Sequence, residues 1–204
     1  MNRVWIHTKA SRRLFLAIPI PVNWSDTFQH AQERIQSDHV TGTVSTRWTE
    51  RTNFHITVRF IGSVNTRCIP GLVDSIRSFL QTTIQFALPF ESVHVATSDD
   101  PKMIWATFQT TKLFQQLVAR STDRIAEFLL KECDGMVMHN GHDVIPHVTI
   151  ARLNGGIPTH NTWRPLMEFP STLQVDRLVL YESKTFPTGS VYHTIATFSL
   201  KARV

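Results

Sequence analysis

The chain has 204 residues, of which 42% are hydrophobic and 18% are charged, and it carries a net charge of +5. This composition is typical of a folded globular domain and excludes a disordered chain, and no apolar stretch is long enough to span a bilayer. The positive charge favours a polyanionic partner, although a merely basic protein would have the same balance.

The first residues of the chain and its two cysteines bear on the cellular compartment in which the protein is expected. Residues 1–13 contain no apolar segment of the kind that a signal peptide has. Cys68 and Cys133 have neither the spacing of a metal site nor the number that a disulfide framework needs. We therefore expect a cytoplasmic protein in which both cysteines are incidental. At this length we also expect a single domain.

The first half of the chain mixes strands and helices. Apolar alternation predicts strands, spacing of three and four residues predicts helices, and Pro70 suits the first position of a helix. The predicted elements are a strand over 14–18, a helix after Pro21 with Asn23 or Ser25 near its cap, a strand over 43–48, a strand over 54–61 that closes at Gly62, and a helix from Pro70.

The second half repeats this mixture. It predicts strands over 86–97 and 103–109, a long helix over 111–132, a strand over 146–153, and a closing hairpin of 174–182 and 191–200 around a turn at 187–189. Because strands and helices do not alternate strictly, the pattern indicates an α+β fold. The order of the elements is that of an imperfect duplication in which each half contributes one motif strand.

Those motif strands are 55–58 (HITV) and 147–150 (HVTI). Successive side chains of a strand point to opposite faces, so each histidine shares a face with the threonine two residues on. About one such triplet is expected by chance, and the chain contains four. The triplets at His39 and His160 lack the apolar alternation, so context selects His55 and His147.

Two facing histidines suit acid–base chemistry on a phosphate. One neutral ring can accept a proton from the attacking group while one charged ring gives a proton to the leaving oxygen. Thr57 and Thr149 can donate hydrogen bonds to the non-bridging oxygens. On an unbroken strand Arg59 would share the face of these groups, whereas Arg152 has the opposite parity and needs a bulge, a twist or a strand end to reach them.

The flanks of both motifs resemble the paired signatures of the 2H phosphoesterase superfamily. Residues 53–62 and 146–153 are most similar to those of the bacterial RNA 2',3'-cyclic phosphodiesterases, historically called 2'-5' RNA ligases. Three more segments resemble parts of this family in the order in which the family has them. They are residues 13–18, residues 101–105, and residues 180–183 followed by Tyr192.

The resemblance implies a fold, an activity and a set of roles. The fold is a two-lobed pseudo-twofold duplication, with antiparallel sheets flanking a central groove and helices on the outside. It would form a single domain of two lobes over residues 13–204, with residues 1–12 as an extension before the usual start of the family. The activity is hydrolysis of a terminal 2',3'-cyclic phosphate on RNA, such as a tRNA fragment, to a 2'-phosphate without a metal or cofactor. Some members also join RNA ends through a 2'-5' linkage. Matching positions make His55 the acid and His147 the base and give Arg152 a phosphate-binding role. Independently of the resemblance, the aromatic ring of Phe15 could stack a nucleobase or lie in the core.

Other interpretations remain open. Within enzymes, the same site could cleave small cyclic nucleotides or 2'-5' oligoadenylates, and outside enzymes the chain could bind RNA ends without turnover. A zinc site would need a third or fourth ligand at matching spacing, which the sequence does not supply. Trp24, Trp48 and Trp105 are assigned to the core or its edge, and a monomer with no membrane partner is expected.

Overall fold

The computed structural model describes residues 10–37, 45–96, 102–133, 144–154, 162–163, 169–187 and 189–202. Within them the chain forms ten strands and three α-helices. The strands are β1 (Ser11–Pro19), β2 (Ser45–Trp48), β3 (His55–Asn65), β4 (Phe86–Ala96), β5 (Lys102–Phe108), β6 (His147–Asn154), β7 (Thr162–Trp163), β8 (Thr172–Val175), β9 (Arg177–Phe186) and β10 (Gly189–Ser199). The helices are α1 (Val22–Ser37), α2 (Ile69–Leu80) and α3 (Lys112–Glu132).

The strands form an antiparallel sheet whose two halves meet at one point. Its order is β10-β9-β1-β3-β6-β5-β4-β7, with β2 pairing β6 and β8 pairing β4. The link between β3 and β6 is one residue pair, Ile56 with Val148. The predicted α+β class is confirmed, and the two predicted sheets are the two halves of this curled sheet.

The helices pack on the face of the sheet that holds the core. From α1, the rings of Trp24 and Phe28 pack with aromatic rings of β4, β5 and neighbouring segments at centroid distances of 5.2–6.4 Å. Helices α2 and α3 pack against each other, and a side chain at Gly71 would place its Cβ 2.9 Å from the Phe128 ring. The absence of a side chain there lets the two helices approach closely. No described helix is long and apolar enough to cross a membrane.

The start of α1 agrees with the sequence prediction, and the end of β3 does not. Helix α1 begins at Val22, directly after Pro21, and the Ser25 amide donates to the Pro21 carbonyl at 2.9 Å, so Asn23 and Ser25 lie in the first turn, near the cap. Strand β3 does not close at Gly62 but continues to Asn65. Gly62 has a φ of 88°, which glycine adopts without a steric penalty, and Ile61 beside it has no partner on β1.

The expectation that both cysteines are incidental is wrong. Cys68 and Cys133 form a disulfide, with their Cα atoms 6.2 Å apart. Cys68 precedes α2 and Cys133 follows α3. The bond therefore joins the start of α2 to the end of α3. The two cysteines are 65 residues apart, so the sequence alone does not show that they are close in space.

Candidate active site

The two histidine motifs lie side by side where the halves of the sheet meet. Ile56 and Val148 are fully buried and pair across β3 and β6. In an antiparallel pair, each histidine then stands level with the threonine of the other motif, on the face opposite the core. All four of these side chains are half-buried. The structure thus brings together on one surface, called here the site face, His55, Thr57, His147 and Thr149.

Matching hydrogen bonds orient the two imidazoles. Nδ1 of His55 lies 2.7 Å from the carbonyl oxygen of Asn53, and Nδ1 of His147 lies 2.8 Å from that of Ile145. A carbonyl oxygen only accepts, so Nδ1 carries the hydrogen and donates in both rings. Each neutral ring therefore keeps its Nε2 lone pair for a substrate.

Burial makes both rings weaker bases than a free histidine. It lowers the pKa of His55 to about 4, against the opposing effect of the Asn53 carbonyl and with added repulsion from His147 and Arg152. Burial also lowers the pKa of His147, with repulsion from Arg152 and His94. Without a ligand both rings are mainly neutral at pH 7, and a bound phosphate would raise both pKa values.

Arg152 reaches the site face through a bulge. Along the β5–β6 ladder, Trp105 pairs with Thr149 and Ile104 pairs with Ala151, so Ile150 has no partner on β5. This extra residue reverses the alternation. Arg152 returns to the face of Thr149, where its charge acts on both histidines. Its Nη1 also lies 3.2 Å from the sulfur of Met103.

A side chain from α1 holds this bulge. Nε2 of Gln32 donates to the carbonyl oxygens of both Thr49 and Ile150, each at 2.9 Å. The amide of Thr49 donates to the same Ile150 carbonyl at 3.0 Å. Gln32 therefore joins the end of β2 to the bulged residue, which fixes the point where the strand changes its alternation.

The prediction that Arg59 shares the site face is not supported. On the β1–β3 ladder Ala17 pairs with Thr57 and Leu16 pairs with Arg59, so Val58 is bulged. Arg59 thereby turns to the face opposite Thr57, where it is 6% exposed and burial lowers its pKa. The prediction assumed an unbroken strand, and the bulge at Val58 interrupts the alternation of β3.

Phe15 lies beneath His55 and not at the surface. Its ring centroid is 5.0 Å from that of His55 and 5.3 Å from that of Tyr181, and the residue is 2% exposed. Tyr192 meets the His55 ring edge-on at 5.1 Å. The structure thus assigns Phe15 to the support of His55, the core alternative, and leaves no open ring face for a nucleobase.

Phe60 has the exposure that Phe15 lacks. It pairs with Phe15 across β1 and β3, so it faces the same side of the sheet, and it is 67% exposed. The centroids of the two rings are 5.9 Å apart. An exposed aromatic ring on the same face as Phe15 is a surface on which a base can stack.

Trp105 gives His147 a different aromatic neighbour from those of His55. The indole stacks on the imidazole with centroids 4.0 Å apart and planes at 23°. The face of an indole attracts a cation, so this contact favours the protonated form of His147. The sequence prediction placed Trp105 in the core or at its edge and did not include this contact. The alternation of β5 alone does not show which strand lies beside Trp105.

A polar row continues from His147 across the sheet. Thr107 pairs with His147, and its hydroxyl lies 3.3 Å from that of Ser92 on β4. The Ser92 hydroxyl lies 3.1 Å from Nδ1 of His94, which pairs with Trp105. Among the residues that the structure describes, no group of three histidine, cysteine, aspartate or glutamate side chains could hold a metal ion.

Comparison with known proteins identifies relatives over most of the chain. A model of the 2'-5' RNA ligase superfamily matches residues 11–185. An RNA 2',3'-cyclic phosphodiesterase of Thermotoga maritima is 24% identical over 192 residues, which are 90% of this chain and 92% of that protein.

Solved structures share the fold. The protein TT0787 of Thermus thermophilus matches with a TM-score of 0.75 at 18% identity, covering 94% of this chain and 100% of that one. E. coli LigT complexed with 3'-AMP matches with a TM-score of 0.69 at 19% identity, covering 94% and 99%. At these identities the likeness establishes the fold, and the predicted two-lobed architecture agrees with it.

Proposed function

The chain belongs to the 2'-5' RNA ligase superfamily, and from its two-histidine site we propose that it hydrolyses a terminal 2',3'-cyclic phosphate on RNA to a 2'-phosphomonoester. The observation that carries the proposal is the pair of oriented imidazoles, each with Nδ1 bonded to a carbonyl and Nε2 left for a substrate. Two threonines lie on the same face, each level with the histidine of the other strand, and their hydroxyls can hold the phosphate oxygens.

The reaction needs one proton acceptor and one proton donor. Nε2 of His147 takes a proton from water as the water oxygen attacks phosphorus, and the bond from phosphorus to O3' breaks. Nε2–H of His55 gives its proton to the departing O3', and the phosphate stays on O2'. The family supplies this division of roles. Because burial lowers the pKa of His55 to about 4, the bound phosphate must raise this pKa before the ring can act as the acid.

Charge and aromatic groups around the histidines suit an RNA end. Arg152 can neutralise the charge that develops on the phosphate, and Phe60 offers a ring to the terminal base. The name of the Thermotoga maritima relative supports the same substrate class. We propose no metal and no cofactor for the reaction.

The family description favours a second activity of the same site. If a 5'-hydroxyl of another RNA replaces water, its oxygen attacks phosphorus, the bond to O3' breaks, and a 2'-5' phosphodiester forms. The same two proton transfers serve this joining reaction. It is measured by incubating a cyclic-phosphate-ended RNA with a 5'-hydroxyl RNA and mapping the new linkage.

Product analysis tests the hydrolysis. A short RNA with a 2',3'-cyclic end is incubated with the protein in excess chelator, and the product is resolved as a 2'- or a 3'-phosphate. We expect the 2'-phosphate at the same rate with and without chelator. If the protein binds this RNA but releases no phosphomonoester, it is an RNA-end binding protein and the enzyme proposal fails.

A further inference from the structure

A second arginine stands directly beside Arg152. On the β2–β6 ladder Arg47 pairs with Arg152, whereas Thr46 and Trp48 pair with Leu153 and Ala151, which are buried in the core. Paired residues of an antiparallel ladder point to the same face. Arg47 therefore lies on the site face, where it is exposed.

This pairing has an electrostatic cost unless an anion is present. Like charges directly opposite each other on neighbouring strands repel. Among the described residues no carboxylate forms an ion pair with either arginine. Two adjacent guanidinium groups with no acid of the described segments paired to them fit an anion that carries more than one charge.

The two arginines differ in the part of a ligand that each can bind. Arg152 acts electrostatically on both histidines, so it is placed to bind the phosphate that reacts. Arg47 is on the far side of Arg152 from β5, one strand further from Met103. Arg47, unlike Arg152, is not among the charges that lower the pKa of either histidine, so its position on β2 suits a second phosphate next to the reacting one.

We propose that Arg47 binds the phosphodiester that joins the terminal nucleotide of the RNA to its 5' neighbour. This inference rests on the proposed function and deepens it, because it makes the substrate a polymer. A dinucleotide with a cyclic end fills both positions, whereas a cyclic mononucleotide has no phosphate for Arg47. The site thereby distinguishes an RNA end from a small cyclic nucleotide.

Two substrates that differ by one phosphodiester test the inference. The ratio kcat/KM is measured for a 2',3'-cyclic mononucleotide and for a cyclic-ended dinucleotide, with the wild type and with Arg47→Gln. We expect the variant to lose about tenfold on the dinucleotide and less than twofold on the mononucleotide, as one charge-assisted contact disappears. The salt dependence of log(kcat/KM) for the dinucleotide should become shallower by roughly one contact.

Two further variants separate binding from folding. Arg47→Lys keeps the charge and should keep most of the salt dependence, and Arg34→Gln, an exposed arginine on α1, should behave as the wild type on both substrates. The unfolding temperature of Arg47→Gln should equal or exceed that of the wild type, because a repulsion is removed. Equal losses on both substrates, or no loss on the dinucleotide, overturn the inference even though the enzyme is active. If the wild type hydrolyses neither substrate, the proposed function itself fails.

Discussion

At the scale of single residues, the two histidines have matched hydrogen bonds and unmatched neighbours. Each ring donates from Nδ1 to the carbonyl two residues before it. His55 is enclosed by Phe15 and the edge of Tyr192, whereas His147 stacks on the face of Trp105. The two motifs are nearly equivalent in sequence, so under the proposed mechanism these unequal neighbours are what would distinguish His55 as the acid from His147 as the base.

Replacing either histidine should remove most of the turnover. We expect His55→Ala and His147→Ala each to lower kcat about 100-fold or more, since each removes one proton transfer. The rate of the wild type should be bell-shaped in pH, and its two limbs describe the coupled pair. Steady-state kinetics on a cyclic-ended RNA measure both effects, with circular dichroism as the control for folding. Full activity in either variant would exclude the two-histidine mechanism.

Burial of His55 should also make the stability of the protein depend on pH. Its pKa is about 4 in the folded chain and near 6.5 when unfolded, so the unfolded state takes up the proton first as pH falls. The contribution of this neutral ring is complete above pH 6.5 and declines towards pH 4. Between pH 7 and pH 5 the free energy of unfolding should fall by about 2 kcal/mol more in the wild type than in His55→Gln. Urea unfolding at both pH values measures this difference, and equal losses would show that His55 is not buried as a neutral ring.

At the scale of the elements, bulges decide which arginine reaches the site. Strand alternation from the sequence predicts Arg59 on the site face and Arg152 on the other. A bulge at Val58 turns Arg59 away, and a bulge at Ile150 brings Arg152 back. The sequence could predict the two motif strands, because apolar alternation is local. It could not predict the second bulge, because a Gln32 side chain 118 residues distant holds it.

The bulge at Ile150 provides a test of Gln32 as a positioning residue. Gln32→Leu removes both of its hydrogen bonds, so we expect a loss of about 1–2 kcal/mol in the free energy of unfolding and about tenfold in kcat/KM. Gln36→Leu, an exposed position on the same helix, is the matched control.

A double-mutant cycle distinguishes positioning from general damage. If Gln32 acts by placing Arg152, Gln32→Leu should cost no further activity in a chain that already carries Arg152→Ala. The stability loss should persist in both backgrounds. Additive losses of activity would mean that Gln32 supports the site by another route.

At the scale of the whole molecule, the chain is two half-sheets joined at one residue pair, with the site at the joint. The predicted duplication identifies the two strands that meet there, since each carries a motif. The pairing of Cys68 with Cys133 could not be predicted, because it depends on how α2 packs against α3 and not on cysteine spacing. A side chain at Gly71 would force the Phe128 ring to shift in this packing.

The disulfide should stabilise the fold without taking part in the reaction. It closes a loop of 65 residues, and such a bond contributes about 2–4 kcal/mol by restricting the unfolded chain. For a chain of this length, reduction should therefore lower the unfolding temperature by roughly 5–15 °C. Thermal unfolding with and without dithiothreitol measures the shift, and Cys68→Ser/Cys133→Ser should unfold at the lower temperature in both conditions. Since neither cysteine lies on the site face, kcat/KM at 25 °C should be the same for the oxidised, reduced and double-variant proteins. Two titratable thiols in the unreduced, denatured wild type would contradict the bond itself.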